Sequence, residues 1–202
     1  MSNDALDVLL DQLDGAWELL DARLTGRRPW SDDAPNPDAV LRDDEYFWEP
    51  VPGCWSLRPR GEAVSPRPVG RGEWLLDEAE HSPRPAPFTT IAWRMCHICE
   101  SPLIRYDYTF GTHSLTLDDV EWPGTAQEAV AFVGKTYRRW RDALATLDPE
   151  DALTVGLCQN PRGLDRTVRF IDLLAWTNTE FTHHAAEIAC LRDLYRARSH
   201  SA

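Results

Sequence analysis

The chain has 202 residues and 23.0 kDa, with 21 Lys and Arg against 33 Asp and Glu, for a formal net charge of -12. A surface that repels phosphate argues against a nucleic-acid partner, because duplex binding draws its affinity from cations that displace counterions. The 43% hydrophobic and 27% charged residues are those of an ordinary globular protein, and no apolar run is long enough to span a membrane.

The start Met1-Ser2-Asn3-Asp4 lacks the basic and apolar regions of a signal peptide, so a cytoplasmic protein forming one domain over residues 1–202 is expected. Leu6, Leu9, Leu10, Leu13, Trp17, Leu20 and Leu24 recur at helical spacing and predict an amphipathic helix over residues 4–24, ended by Gly26. From there to Pro87 the chain is rich in Pro, Gly and Arg, and a stretch of roughly 60 residues without long periodicity is unusual inside a compact domain. It nevertheless retains Trp30, Tyr46, Phe47, Trp48, Trp55 and Trp74, apolar groups that a solvated linker would not keep. The segment is therefore expected to be ordered over one end of the fold, with a short helix over 43–47, a turn at Pro52-Gly53 and a brief strand over 74–76.

A second helix is predicted from about Pro87 to Phe110, bent at Pro102 and stopped by Gly111. A third begins at Thr125, where Thr125 and Glu128 have capping-box spacing, and carries Phe132, Val133, Thr136, Trp140 and Leu144 on one stripe. The fourth runs over about 168–197, with Phe170, Leu174, Phe181, Ile188, Leu191 and Tyr195 on one face. The fold class is all-α: an up-and-down four-helix bundle with a long Trp/Pro-rich crossover between helices 1 and 2.

On the fourth helix, Glu180 and His184 lie about 40° apart on adjacent turns, so both can point at one ion, while His183 turns toward the surface. Burying an unpaired charge costs several kcal/mol, and either a divalent cation or a Glu–His hydrogen bond at the helix edge would meet that cost. His183 and Glu187 repeat the spacing on the wrong face. A third ligand must come from elsewhere, and His97 is the one histidine predicted within a different helix; His81 and His113 fall in loops and His200 in a tail. On a helical wheel His97 lies opposite Ile91, Met95 and Ile98, a conflict that disappears if this helix is buried all round, as Trp93 and Ile104 on the His97 side suggest. Cys96 and Cys99 form a rival zinc or redox motif, for which buried thiols without chemistry are the simpler reading; the five cysteines (Cys54, Cys96, Cys99, Cys158, Cys190) are odd in number and suit a reduced state. Arg192, on the core side, either pairs with a buried carboxylate or contacts an anionic substrate.

Three segments carry a resemblance: Asp44-Glu45-Tyr46-Phe47-Trp48-Glu49-Pro50-Val51-Pro52-Gly53-Cys54-Trp55-Ser56, then Pro87 through Ile98, then Glu180 through His184 with Ala186-Glu187-Ile188 and Leu191 through Tyr195. In order and spacing they resemble the DinB-like family of four-helix metalloproteins, particularly the branch related to mycothiol-dependent maleylpyruvate isomerases. The resemblance implies metal ligands at His97, Glu180 and His184, with Trp48 and Trp55 in the crossover that covers the site, although core packing is the simpler role for each tryptophan. Two imidazoles and a carboxylate leave coordination positions open, as in catalytic sites. Zinc fits by ligand type, and Ni(II), Fe(II) or Mn(II) suit the same set. The implied partners are a small-molecule thiol, such as mycothiol or bacillithiol, and an electrophilic substrate, with neither nucleic acid nor membrane. The implied function is a thiol-dependent S-transferase or isomerase, against the alternative of a non-catalytic metal-binding stress-response bundle. Exposed helix faces would also support a homodimer.

Overall fold

The structure, a computed structural model, describes residues 4–80 and 83–198. His81, His200 and the first three residues, on which expectations were placed above, lie outside that range. Helix α1 (Asp4–Thr25) is followed by the crossover, which holds a single-turn helix α2 (Asp43–Tyr46) and an antiparallel hairpin of β1 (Leu57–Pro59) and β2 (Trp74–Leu76). Helices α3 (Ile91–Phe110), α4 (Ala126–Leu144) and α5 (Phe170–Arg198) complete the bundle.

The helix ends follow their caps. Gly26 leaves α1 with a φ of 73°, and a Cβ there would sit 2.2 Å from the carbonyl oxygen of Asn36, so both backbone angle and close approach require glycine. Thr125 accepts the Glu128 N–H at the start of α4, while the Glu128 carboxylate reaches back to the N–H of Gly124, one residue before the expected position. Helix α3 begins four residues after Pro87. Thr89 is held extended by a bridge to Trp55, and Thr90 then caps the helix by accepting the Trp93 N–H. Pro102 lies inside α3, and Gly111 closes it through its N–H to the Asp107 carbonyl.

The expected apolar stripes face inward: Leu6, Leu10, Leu13, Leu20 and Leu24 of α1 are buried with Val133, Trp140 and Leu144 of α4 and all six stripe residues of α5. Leu9, Trp17 and Phe132 are half-buried at the edges of that core.

Helices α1 and α3 each pack against both α4 and α5. Leu9 and Gln12 meet Asn178, while Arg23 meets Ala189, so α1 and α5 run parallel. Arg94 meets Glu187 and Arg105 lies over Trp176, so α3 opposes α5. Arg139 lies over Tyr106 and Phe110 meets Trp140 at the shared end, so α3 and α4 run parallel. The four-helix, all-α expectation holds, but the strict up-and-down alternation does not: the order is up, down, down, up. The linker over 111–125 permits this order: its extended reach of roughly 50 Å exceeds the length of about 30 Å of the 20-residue α3, so the chain can return along the bundle before α4 begins.

The crossover is ordered as expected. Tyr46 is fully buried and donates its hydroxyl to the Pro123 carbonyl at 3.2 Å, and Phe47 stacks on Trp74 with centroids 5.1 Å apart. Its anchor is Asp77, a fully buried carboxylate just after β2. Asp77 accepts the N–H groups of Ser56, Val64 and Ser65 and the Nε–H of Arg58, so desolvation is offset by four donors. Its backbone carbonyl also accepts the Trp93 indole N–H at 2.7 Å, which ties the hairpin to α3.

Candidate metal centre

Helix α3 resolves the wheel conflict over His97. With α4 on one side and α5 and the hairpin on the other, Trp93, Met95, Cys96, Ile98 and Cys99 are all buried. The indole of Trp93, held by Asp77, stacks on the His97 ring with centroids 4.4 Å apart and an interplanar angle of 17°, which fixes the ring plane. Because α5 runs antiparallel alongside, His184 comes edge-on to His97 with centroids 4.7 Å apart. The ligand atoms of His97, Glu180 and His184 all lie within 4.8 Å of one another. His183 is exposed, as its wheel position requires.

The protons define what this group can do. Nδ1 of His184 lies 2.5 Å from Oε2 of Glu187, and Arg94 forms an ion pair with the same carboxylate. Nη1 of Arg94 also lies 2.9 Å from Nδ1; in the tautomer whose Nδ1–H donates to Glu187, the lone pair is left on Nε2. Burial, joined by the neighbouring His97, holds the His184 pKa below its ordinary value and favours this neutral form. In that tautomer Nε2, 3.5 Å from Oε2 of Glu180, faces it with no proton between the two electron-pair donors. Such a juxtaposition fits a cation, and two imidazoles with one carboxylate suit a divalent ion of borderline hardness. At His97 burial acts downward, but the carboxylates of Glu100, Glu78 and Glu180 outweigh it, and its pKa is raised.

A family model described as the DinB superfamily matches residues 74–188, more than half of the chain. The chain belongs to the DinB superfamily. Neither the curated proteins nor the solved structures gave a match. The matched span of this DinB-like chain contains His97, Glu180 and His184 together with the hairpin strand that anchors Trp93.

A cleft of about 420 Å³ opens from His97, Glu180 and His184. Its walls are α3, α5 and the loops over 115–117 and 160–162, with apolar surface from Ile104, Leu117, Trp176 and Phe181. Arg105 lies under Trp176, 4.8 Å from the ring centroid, and is held by both oxygens of Asp165 at 3.1 Å. The Trp48 to Trp55 segment does not line this cleft. Trp48 packs edge-on to Tyr195 and Trp55 against Trp93, so both serve packing.

The other candidates resolve as structure. Arg192 is fully buried and pairs with both oxygens of the equally buried Glu45 of α2, at 2.7 and 3.0 Å. Cys96 and Cys99 are buried thiols, and burial pushes both pKa values up, away from thiolate chemistry. Glu100, Arg94 and Glu78 had no role in the sequence reading, and Glu187 was paired there with His183 rather than with His184. The available signal was a repeated His-x-x-Glu: His97 with Glu100 and His184 with Glu187, each three residues apart on one helical face.

Proposed function

We propose that this chain is a metal-dependent S-transferase or isomerase of the mycothiol-related branch of its superfamily. It joins a low-molecular-weight thiol, such as mycothiol or bacillithiol, to a small electrophile. His97, Glu180 and His184 are its metal ligands, with zinc favoured by ligand type and Ni(II), Fe(II) and Mn(II) compatible with the same set. The observation that carries this reading is the convergence of His97, Glu180 and His184, whose nitrogen and oxygen atoms lie within 4.8 Å of one another beside a cleft of about 420 Å³. A purely structural cation would be closed off by protein ligands, and three ligands beside a cleft leave coordination positions for a reactant.

A divalent ion held by these residues would lower the pKa of a thiol brought to it and so would supply a nucleophile at neutral pH without a protein base. The protein's own residues do the rest. Glu187, neutralised by Arg94, fixes the tautomer and orientation of His184. Trp93 sets the plane of His97. Trp176, Phe181 and Ile104 give the electrophile an apolar wall that excludes water. We place the protein in the cytoplasm, in keeping with five cysteines that are all free.

The test is to load the protein with zinc and follow product formation from mycothiol or bacillithiol with a panel of small electrophiles. A rate above that of free zinc, lost in His184→Ala, is expected. A rate equal to free zinc with every thiol would overturn the proposal.

A further inference from the structure

The two His-x-x-Glu pairs are alike in spacing and unlike in charge. At His184 the backing carboxylate, Glu187, hydrogen-bonds Nδ1 and carries its own cation, Arg94. At His97 the backing carboxylate, Glu100, lies 3.3 Å from Nδ1, yet neither that nitrogen nor Oε1 of Glu100 makes a hydrogen bond, although both atoms are buried. A second carboxylate, Glu78, arrives from the end of the hairpin, and the ligand atoms of Glu78, His97 and Glu100 lie within 4.8 Å of one another. Among the described residues no arginine or lysine pairs with Glu78 or Glu100; Arg67, which acts on Glu78, pairs with Asp118, and Oε1 of Glu78 accepts the Ala79 N–H at 2.9 Å.

Two adjacent, partly buried carboxylates that share one imidazole and have no arginine or lysine ion pair carry an excess of negative charge, and such groups are ordinarily paired or coordinate metals. We infer that Glu78, Glu100 and Nδ1 of His97 form a second divalent-cation site, so that the His97 ring stands between two cations. The inference rests on the proposed function only in sharing His97. Two oxygens and one nitrogen suit zinc or manganese. Coordination at Nδ1 requires that nitrogen to give up its proton, which passes to solvent as the second cation binds.

The ring connects the sites electrostatically. Exchanging the Nδ1 proton for a cation would leave the ring an imidazolate shared by the two sites, and neutralising Glu78 and Glu100 would remove negative charge beside the cleft.

The test is zinc stoichiometry by equilibrium dialysis and elemental analysis of the full chain, with folding of each variant followed by circular dichroism. Two zinc ions per wild-type chain are expected. One is expected in each of Glu78→Gln, Glu100→Gln and His184→Ala. One ion in the wild type, unchanged in both glutamine variants and lost in His184→Ala, would overturn the inference and leave the proposed function standing. One ion lost in the glutamine variants and kept in His184→Ala would support the Glu78 site and overturn the proposed one. Glu78→Gln and Glu100→Gln change almost no volume, and either alone suffices to decide.

Discussion

Replacing Glu187 by alanine separates a ligand's position from its protonation. Binding a cation through Nε2 of His184 calls for the tautomer in which Nδ1–H donates to Glu187 and the lone pair on Nε2 faces Glu180. Removing the carboxylate leaves Arg94, whose Nη1 already lies 2.9 Å from Nδ1. Arginine can only donate, so the stable arrangement in the variant has Nδ1 accepting from Arg94 and the ring proton moved to Nε2, where it blocks coordination. Two routes give the magnitude. A charge-assisted hydrogen bond contributes about 1.5–3 kcal/mol, and loss of a carboxylate behind a ligating histidine costs about 10–100-fold in metal affinity, which is about 1.4–2.8 kcal/mol. Competition against a chromophoric chelator should therefore show the zinc-binding event that is lost in His184→Ala weakened by about 10–100-fold in Glu187→Ala. Adding Arg94→Ala should recover part of that loss, because the donor that enforces the wrong tautomer is gone. Affinity unchanged in Glu187→Ala, or lowered further in the double variant, would refute the reasoning.

Three further outcomes follow from other parts of the molecule. Glu45→Ala leaves the fully buried Arg192 without its carboxylate, and urea unfolding should show a loss of about 3–5 kcal/mol; a loss below about 1 kcal/mol would mean that the pair is not desolvated in solution. Burial by itself raises the Asp14 pKa, but the bonds from Arg141 and the Tyr137 hydroxyl outweigh it and hold the value below the ordinary range. Asp14 therefore contributes stability that is present above its unfolded pKa and is lost as pH falls through the folded one, so Asp14→Asn should flatten the acid limb of stability below about pH 4. Zinc at about 1,000 times its Kd should stabilise the fold by about 4 kcal/mol; in His184→Ala the rise in Tm should shrink to whatever the second cation supplies, and a full shift there would place the ion elsewhere.

What was legible in the sequence divides along a physical line. Groups that share a helix could be placed from spacing alone: Glu180 beside His184, His183 outward, and Arg192 on the core side all follow from the 100° step. The start of α3 failed because Pro87 is a signal for a first turn, whereas the bridge between Trp55 and Thr89 keeps the chain extended until Thr90 can cap. His97 looked misplaced because a wheel assumes one buried face, and α3 has neighbours on both. The direction of α4 was not legible either, since a linker's length bounds where the chain goes without choosing among the ends within reach. Glu100 and Glu187 were legible in principle as i, i+3 partners, but pairing Glu187 with His183 concealed the repeat. Glu78 lies beyond any local rule. It reaches His97 only because Leu57 pairs with Leu76 and the four donors on Asp77 lock the chain that follows β2 against α3. The two proposed cation sites therefore differ in the work needed to build them. The Glu180 and His184 pair is preset by one helix and needs only His97 to arrive, while the Glu78 site exists only once the hairpin has docked. Loosening the hairpin with Asp77→Asn should accordingly weaken the second ion before the first.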